Sequence, residues 1–111
     1  MSRSDEVYIE DVIESISIIF AYLGDKTELE FSENIMLQDA VIRRFEIIGE
    51  AASKISQATK ENNPNIAWKL MKGMRNKLSH EYFGISSTTI YSTAKIDLPL
   101  LLTQLQTVRL G

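Results

Sequence analysis

Apolar residues recur every three or four positions along most of this 111-residue chain, a spacing that predicts amphipathic helices. The first stripe predicts a helix over 5–23, with Ser4 or Asp5 as the N-cap and Gly24 as its end. A polar connection over 24–33 has room for a short turn, and the second stripe predicts a helix over 34–59. The residues expected to be buried are Val12, Ile13, Ile16, Ile19, Phe20 and Leu23 on the first helix and Ile35, Leu37, Val41, Ile42, Phe45, Ile48, Ala52 and Ile55 on the second.

The third helix is predicted to follow a turn over ENNPN at 61–65. Pro64 suits the first turn of a helix, where its missing N–H costs nothing. We expect this helix to run to Tyr82 or Phe83 and to end at Gly84, a residue type that commonly follows a helix C-terminus.

The fourth helix is predicted to begin with a cap at Ser86, Ser87 or Thr88 and to continue to the C-terminus with a kink near Pro99. No segment alternates in the way that a half-buried strand does. The predicted fold is therefore all-α, a four- to five-helix up-and-down bundle that forms a single domain over 1–111.

The last predicted helix has a high apolar content. Residues 98–102 read LPLLL, and Leu105, Val108 and Leu110 follow. Such a helix either closes the core of its own chain or forms a homodimer interface, and the two alternatives are compatible.

Composition excludes several classes of site. The chain has no Cys, so it has no disulfide framework, no thiolate nucleophile and no zinc–thiolate site. It opens MSRSDEVYIEDV, which lacks the basic and then apolar pattern of a signal peptide, and no apolar run approaches membrane-spanning length. We therefore expect a cytoplasmic location and no membrane partner.

Charge is unevenly distributed along this acidic chain of net charge −3. Residues 1–39 contain two basic residues against ten acidic ones, and residues 40–80 contain eight basic residues against three. This asymmetry either provides a local basic surface on an acidic protein or reflects uneven scatter over helical surfaces.

The stretch MRNKLSHEYFGI at 74–85 combines polar groups with distinct chemistry around the only histidine in the chain. On a regular helix one side of this stretch is apolar, with Met71, Met74, Leu78 and Ile85. The neighbouring arc holds the residues Arg75, Asn76, Ser79, His80 and Tyr82.

These residue types suit metal-independent cleavage of RNA by its own 2′-hydroxyl. The reaction needs a base for that hydroxyl, an acid for the leaving 5′-oxygen and positive charge at the phosphorus. Arg75 would supply a planar, permanently charged fork, and His80 would transfer protons near neutral pH. One histidine cannot easily fill both proton-transfer roles, whereas two chains meeting at a symmetric interface would supply two.

Each of these residues also has a purely structural interpretation. A histidine near a helix C-terminus is commonly stabilised there by the helix dipole. Arg75 can extend over the core or pair with Glu46 or Glu50, Asn76 can be a solvated helix residue, and Tyr82 can pack with its hydroxyl satisfied.

Arg75, four residues of which Asn76 is the first, His80, one further residue and Tyr82 together resemble the RX4HXY motif of HepT-type toxins in the HEPN superfamily. The blocks YIEDVIESI at 8–16, QDAVIRRFEIIGEAA at 38–52 and AWKLMKGMRNKLSHEYFGI at 67–85 resemble the corresponding family blocks in order and spacing. Two departures are Ser86-Ser87, where many relatives have an acidic residue, and Ser79, where a branched apolar residue is common.

The resemblance implies a HEPN-like bundle that forms a homodimer with a composite cleft. It also implies a metal-independent endoribonuclease toxin of a toxin–antitoxin pair, without a cofactor, acting on tRNA or mRNA. Arg75 and His80 would be the catalytic pair, with Asn76 positioning the phosphate or the histidine. The implied partner is an MntA-like nucleotidyltransferase antitoxin that attaches AMP to Tyr82; the resemblance does not fix whether larger assemblies form around it.

Lys72 and Lys77 are the expected RNA phosphate contacts beside the motif. The acidic first third would limit unspecific RNA binding or face the antitoxin. The principal alternative is a non-catalytic dimeric module that binds a nucleotide or the nucleotidyltransferase, and a third is a plain helical dimerisation domain. The presence of Arg75, Asn76, His80 and Tyr82 together favours the enzyme, because a scaffold does not need all four.

Overall fold

The computed structural model describes residues 4–80 and 86–110, with side chains described for 4–75 and 86–110. These ranges contain helices and no strand, which confirms the all-α prediction. None of their helices is long and apolar enough to cross a membrane. The elements are α1 (Asp5–Leu23), α2 (Glu28–Ser32), α3 (Ile35–Ser53), α4 (Gln57–Asn62), α5 (Trp68–His80), α6 (Ser87–Ser92), a π-helical turn (Thr93–Asp97) and α7 (Leu98–Leu105).

Helix α1 has the predicted bounds because its ends carry clear signals. Ser4 occupies the N-cap position, and its carbonyl accepts the N–H of Tyr8 at 3.4 Å. Gly24 ends the helix with a φ of 48°, a conformation that glycine adopts without steric cost, while its N–H donates to the carbonyl of Phe20 at 2.9 Å.

The connection predicted over 24–33 contains a short helix, α2, held by a capping box. The N–H of Glu30 donates to the Thr27 hydroxyl at 3.1 Å, and the N–H of Thr27 donates to the Glu30 carboxylate at 2.8 Å. This helix buries Phe31, whose ring lies 5.6 Å from that of Tyr91. The polar connection therefore contains a short helix, and Phe31 is the residue of that helix that is buried.

The continuous helix predicted over 34–59 was wrong, because α3 ends at Ser53 and α4 begins at Gln57. Ser56 caps α4 by accepting the N–H of Thr59 at 3.3 Å. The Asp5 carboxylate accepts the N–H of Ser56 at 3.0 Å, which removes that donor from a helical ladder. A partner 51 residues away in the sequence therefore breaks the helix.

The third predicted helix begins later than expected, at Trp68 rather than Pro64. Residues 64–66 form a turn instead, in which the N–H of Ile66 donates to the carbonyl of Asn63 at 3.2 Å. The predicted end at Tyr82 or Phe83, with Gly84 as stop, lies outside the described residues.

The fourth helix contains a π-helical turn just before Pro99, close to the position predicted for a kink. Ser86 caps α6 as predicted, accepting the N–H of Thr89 at 3.2 Å. The π-helical turn then precedes α7, where Pro99 lies in the first turn and needs no hydrogen bond from its nitrogen. The helix ends at Leu105 and does not continue to the C-terminus, which corrects that part of the prediction.

The core is shared by the four longest helical segments. Predicted residues such as Val12, Ile16 and Phe45 are buried, whereas Ile35 is 73% exposed and was wrongly assigned to the core. In α7 Leu98 and Leu101 are buried and Leu100 is exposed. The last helix therefore closes the core, and its role in a homodimer stays a prediction. The buried apolar residues from these four segments include Ile9, Val12, Ile16, Ile19 and Leu23 of α1, Val41, Phe45 and Ile48 of α3, Met71 and Met74 of α5, and Leu98, Leu101 and Leu105 of α7.

Candidate active site

Helices α3 and α5 are in close contact where Gly49 meets Arg75. A Cβ atom on Gly49 would lie 2.8 Å from the backbone nitrogen of Arg75 and 3.0 Å from its Cα. Real Cβ atoms essentially never come within 3.0 Å of other heavy atoms, so only glycine allows this crossing. This close contact fixes the position of the Arg75 backbone relative to α3.

Arg75 projects from this crossing towards solvent, with about half of its side chain exposed. Its Nε lies 3.3 Å from the Glu50 carboxylate, which follows Gly49 on α3. The same carboxylate lies 3.8 Å from Nζ of Lys54. The interpretation of Arg75 as a partner of Glu50 is correct, and because the pair is solvent-exposed it is weak enough for a phosphate to compete.

Of the other predicted site residues, the structure describes only Lys72 in full. Lys72 is exposed and lies one turn before Arg75 on α5. Asn76, Lys77 and His80 belong to the last turns of α5, but their side chains lie outside the described set. Tyr82 lies outside the described residues altogether. The structure thus places Arg75 and Lys72 on neighbouring turns of α5, and the roles of all six residues stay predictions.

A groove of about 740 Å³, here called the basic groove, runs between α3, α4 and α5 on one side of Arg75. Its floor includes Gly49 and its lining includes Trp68. Four cationic side chains and one carboxylate line it, so its formal charge is +3. The charged residues are Lys60, Lys69, Lys72, Arg75 and Glu61.

A smaller groove of about 400 Å³, here called the balanced groove, lies between α1 and α3 on the other side of Arg75. It contains three cations and three carboxylates. Nη1 of Arg43 lies 3.8 Å from the Glu46 carboxylate, and Glu50 holds the two pairs described above. Its charges therefore cancel within the groove. The charged residues are Arg43, Lys54, Arg75, Asp11, Glu46 and Glu50.

Helix α4, the outer wall of the basic groove, is tied to α1 at its first turn. The Asp5 carboxylate accepts the Ser56 and Thr59 hydroxyls, each at 2.6 Å, as well as the Ser56 N–H. These hydrogen bonds, that from the Ser56 hydroxyl first and that from the Thr59 hydroxyl second, hold the pKa of Asp5 below its usual value. The ionised carboxylate therefore keeps the wall in place.

The other end of α4 is held by Asn63, which is buried. Its amide nitrogen donates to the carbonyls of Thr59 and Arg109, at 2.8 and 2.9 Å, and its amide oxygen accepts the N–H of Arg109 at 2.7 Å. Its backbone carbonyl accepts the indole N–H of Trp68 at 3.0 Å. Trp68, which is half-buried, is thus fixed at the start of α5.

Sequence reasoning missed Gly49, Trp68, Lys60 and Lys69 as parts of the site. Gly49 had a usable signal, since an isolated glycine within a helical pattern indicates close packing. The two lysines had none, because their proximity depends on the placement of α4 against α5.

Comparison with known proteins gives consistent matches over most of the chain. The family described as "Ribonuclease HepT-like" matches residues 12–108. A Thermococcus cleftensis protein named "Probable ribonuclease HepT" is 40% identical over 101 residues, which cover 91% of this chain and 92% of that protein. The search of solved structures found no significant match.

Two relatives from Methanocaldococcus jannaschii show the same similarity. One, named "Putative RNase MJ1380", is 40% identical over 89% of this chain and 92% of its own length. The other, named "Gamma-glutamylcyclotransferase and putative RNase MJ0434", is 40% identical over 91% of this chain. The match covers only 46% of that longer protein.

Proposed function

Because the chain belongs to the ribonuclease HepT-like family, we propose that it is a metal-independent endoribonuclease whose site is built around Arg75 and His80. Family membership confirms the resemblance stated from the sequence and the enzyme class, ribonuclease. The single observation that carries the site assignment is the placement of Arg75, an exposed cation fixed by a helix crossing at the edge of the basic groove.

The proposed reaction is transesterification by the RNA's own 2′-hydroxyl. A base removes the hydroxyl proton, the 2′-oxygen attacks the adjacent phosphorus, and the 5′-oxygen leaves with a proton from an acid. The products carry 2′,3′-cyclic phosphate and 5′-hydroxyl ends. Arg75 stabilises the additional negative charge on the phosphoryl oxygens, where one such donor is typically worth about 10²–10³ in rate.

The proton transfers are assigned to His80, with Asn76 positioning the phosphate or the imidazole. The chain contains one histidine, so the proposal pairs two copies across a cleft, each supplying one imidazole as acid or base. The exposed apolar side chains of Ile96 and Leu100 on the last helical segments are available for such a homodimer.

The proposed regulation is attachment of AMP to Tyr82 by an MntA-like nucleotidyltransferase antitoxin, as part of a toxin–antitoxin pair. Tyr82 follows His80 by two residues. A phosphorylated adduct there would place negative charge and bulk where the RNA phosphate must lie. Lys72, which is exposed on the same helix as Arg75, and Lys77 are the proposed phosphate contacts beside it.

The test is cleavage of cellular RNA in excess EDTA by the unmodified protein and by Arg75→Ala, His80→Ala and Arg43→Ala variants. Arg43→Ala is the matched control, because it removes an exposed arginine from the balanced groove. We expect the wild type and Arg43→Ala to produce 2′,3′-cyclic phosphate ends and the other two variants to lose at least about 10²-fold in rate.

Equal cleavage by all four proteins would identify a contaminating nuclease and remove the catalytic assignment. No cleavage by a folded, unmodified wild type across tRNA and mRNA substrates would favour the non-catalytic binding module instead.

A further inference from the structure

We propose that the basic groove is a subsite for single-stranded RNA beside the cleavage position, in which Trp68 stacks on a base and Lys60 and Lys69 contact phosphates. This inference rests on the proposed function, since it assumes that the scissile phosphate lies at Arg75. Its basis is the coincidence of a tryptophan and unbalanced positive charge in one groove that ends at Arg75.

The arrangement of residues on α5 gives the groove a direction. Trp68, Lys72 and Arg75 follow one another at helical spacing of four and three residues, so they share a face of α5. Seven residues of helix span about 10 Å. A strand whose phosphate meets Arg75 would therefore pass Lys72 before reaching the indole.

Two further lysines, one on each wall, complete the cationic lining. Lys60 comes from α4 and Lys69 from the first turn of α5, and both line the groove. Glu61 is the one carboxylate among the described residues that line the groove. It accepts a hydrogen bond from the Gln57 amide at 3.4 Å. Arg75 is paired with Glu50, but no described ion pair involves Lys60, Lys69 or Lys72, so phosphates entering the groove would meet an excess of positive charge.

Trp68 is suited to stacking because its position is fixed before RNA arrives. Its indole N–H is occupied by the Asn63 carbonyl at 3.0 Å, and Asn63 is itself buried and hydrogen-bonded on both amide atoms. The ring is half-buried and lines a groove of about 740 Å³. Aromatic rings beside tracks of basic residues are the common means of binding single strands without sequence readout.

The experiment uses the intrinsic fluorescence of Trp68, the only tryptophan of the chain. The probe is a 2′-O-methyl oligonucleotide of about ten nucleotides, within the range of known single-strand site sizes. It cannot be cleaved, because its 2′-oxygens are blocked. We expect saturable quenching by this probe in the wild type and in Arg43→Ala, with similar Kd, because Arg43 lines the balanced groove.

Two double variants test whether Lys60 and Lys69 contact phosphates. Lys60→Gln/Lys69→Gln should raise Kd about tenfold and reduce the slope of log K against log salt by about 1.4, the value for two contacts to a single strand. Lys26→Gln/Lys95→Gln is the matched control, since it removes the same charge around the end of α1, where Nζ of Lys95 donates to the Gly24 carbonyl at 3.1 Å. It should leave Kd unchanged.

Stacking is tested with a fluorescently labelled copy of the probe, read by anisotropy. Trp68→Leu should raise Kd by about 5- to 150-fold, the usual range for losing one stacked base. Trp68→Phe retains a ring and should lose much less, which separates stacking from a folding defect.

Absence of quenching, or equal Kd for the two lysine pairs, would overturn the subsite. Equal affinity for polyglutamate of matched charge would also overturn it, by showing a general anion surface. These outcomes are distinct from failure of the proposed function, because binding is measured without cleavage. Cleavage with no quenching removes only the subsite, and quenching with no cleavage removes only the ribonuclease mechanism.

Discussion

The two grooves lined by Arg75 have similar numbers of cations but different formal charges. The basic groove carries four cations against Glu61, whereas the balanced groove has three cations and three carboxylates. Glu50 alone lies within ion-pair distance of both Lys54 and Arg75. The proposed RNA path therefore rests on the carboxylates that neutralise the cations and not on the number of cations.

The helix crossing at Gly49 separates the two grooves, and disturbing it should produce the largest effect. In Gly49→Ala the new methyl group would contact the backbone of Arg75, so α5 must move. We expect a loss of about 1–3 kcal/mol in the free energy of unfolding, as for other overpacked cores. We expect RNA cleavage to fall about 10- to 100-fold as Arg75 is displaced.

Gly73→Ala is the matched control for this prediction. Gly73 is also a helical glycine, on α5 itself, and a Cβ there would meet no atom of the described residues within 4 Å. It should stabilise the protein by about 0.5–1 kcal/mol through helix propensity and leave cleavage intact. Chemical denaturation and kcat/KM below the unfolding transition measure both effects. Full activity in Gly49→Ala would show that the crossing does not position Arg75.

Removing one carboxylate from each groove tests the charge comparison directly. Glu61→Gln and Glu46→Gln each remove one negative charge, so the net charge changes equally. Glu61→Gln should lower Kd for the 2′-O-methyl oligonucleotide by about two- to fivefold, because an exposed charge contributes up to about 1 kcal/mol. Glu46→Gln should leave Kd unchanged, although it frees Arg43 from its partner at 3.8 Å.

The measurement is the Kd of both variants for the oligonucleotide, titrated at two salt concentrations. Equal tightening by Glu61→Gln and Glu46→Gln would mean that RNA passes over both grooves and that their difference has no bearing on the path.

The sequence predicted the elements whose signals are local. The bounds of α1 follow from its apolar stripe and from Gly24, and the motif identified Arg75 through family resemblance. The break between α3 and α4 could not be predicted, because Ser56 leaves the helix to bond Asp5 across 51 positions. The approach of Lys60 to the predicted residues Lys72 and Arg75 depends on that break, so it could not be predicted either.

Helix α4, the outer wall of the basic groove, should be held less firmly at low pH. This is the smallest of the three effects expected from these variants. The pKa of Asp5 is lowered from its ordinary 3.8 by the Ser56 and Thr59 hydroxyls. A lowered pKa in the folded state means that the stabilisation is fully present above the unfolded value and is lost as pH falls through the folded one. Asp5→Asn should therefore cost about 0.5–1 kcal/mol near neutral pH, a modest figure because the site is near the surface.

The difference between wild type and Asp5→Asn in urea denaturation should shrink as pH is lowered below 3.8. Oligonucleotide Kd at neutral pH should rise about twofold, because loss of one exposed hydrogen-bonded carboxylate weakens the hold on α4 and Lys60 only modestly. Glu30→Gln is the control: the pKa of Glu30 is also lowered, by the Thr27 N–H and then its hydroxyl, but it caps α2 away from the groove. It should alter stability in the same pH window without changing Kd. An equal change in Kd for both variants would indicate general loosening, whereas a change in Asp5→Asn alone would identify α4 as the wall that holds the basic groove open to RNA.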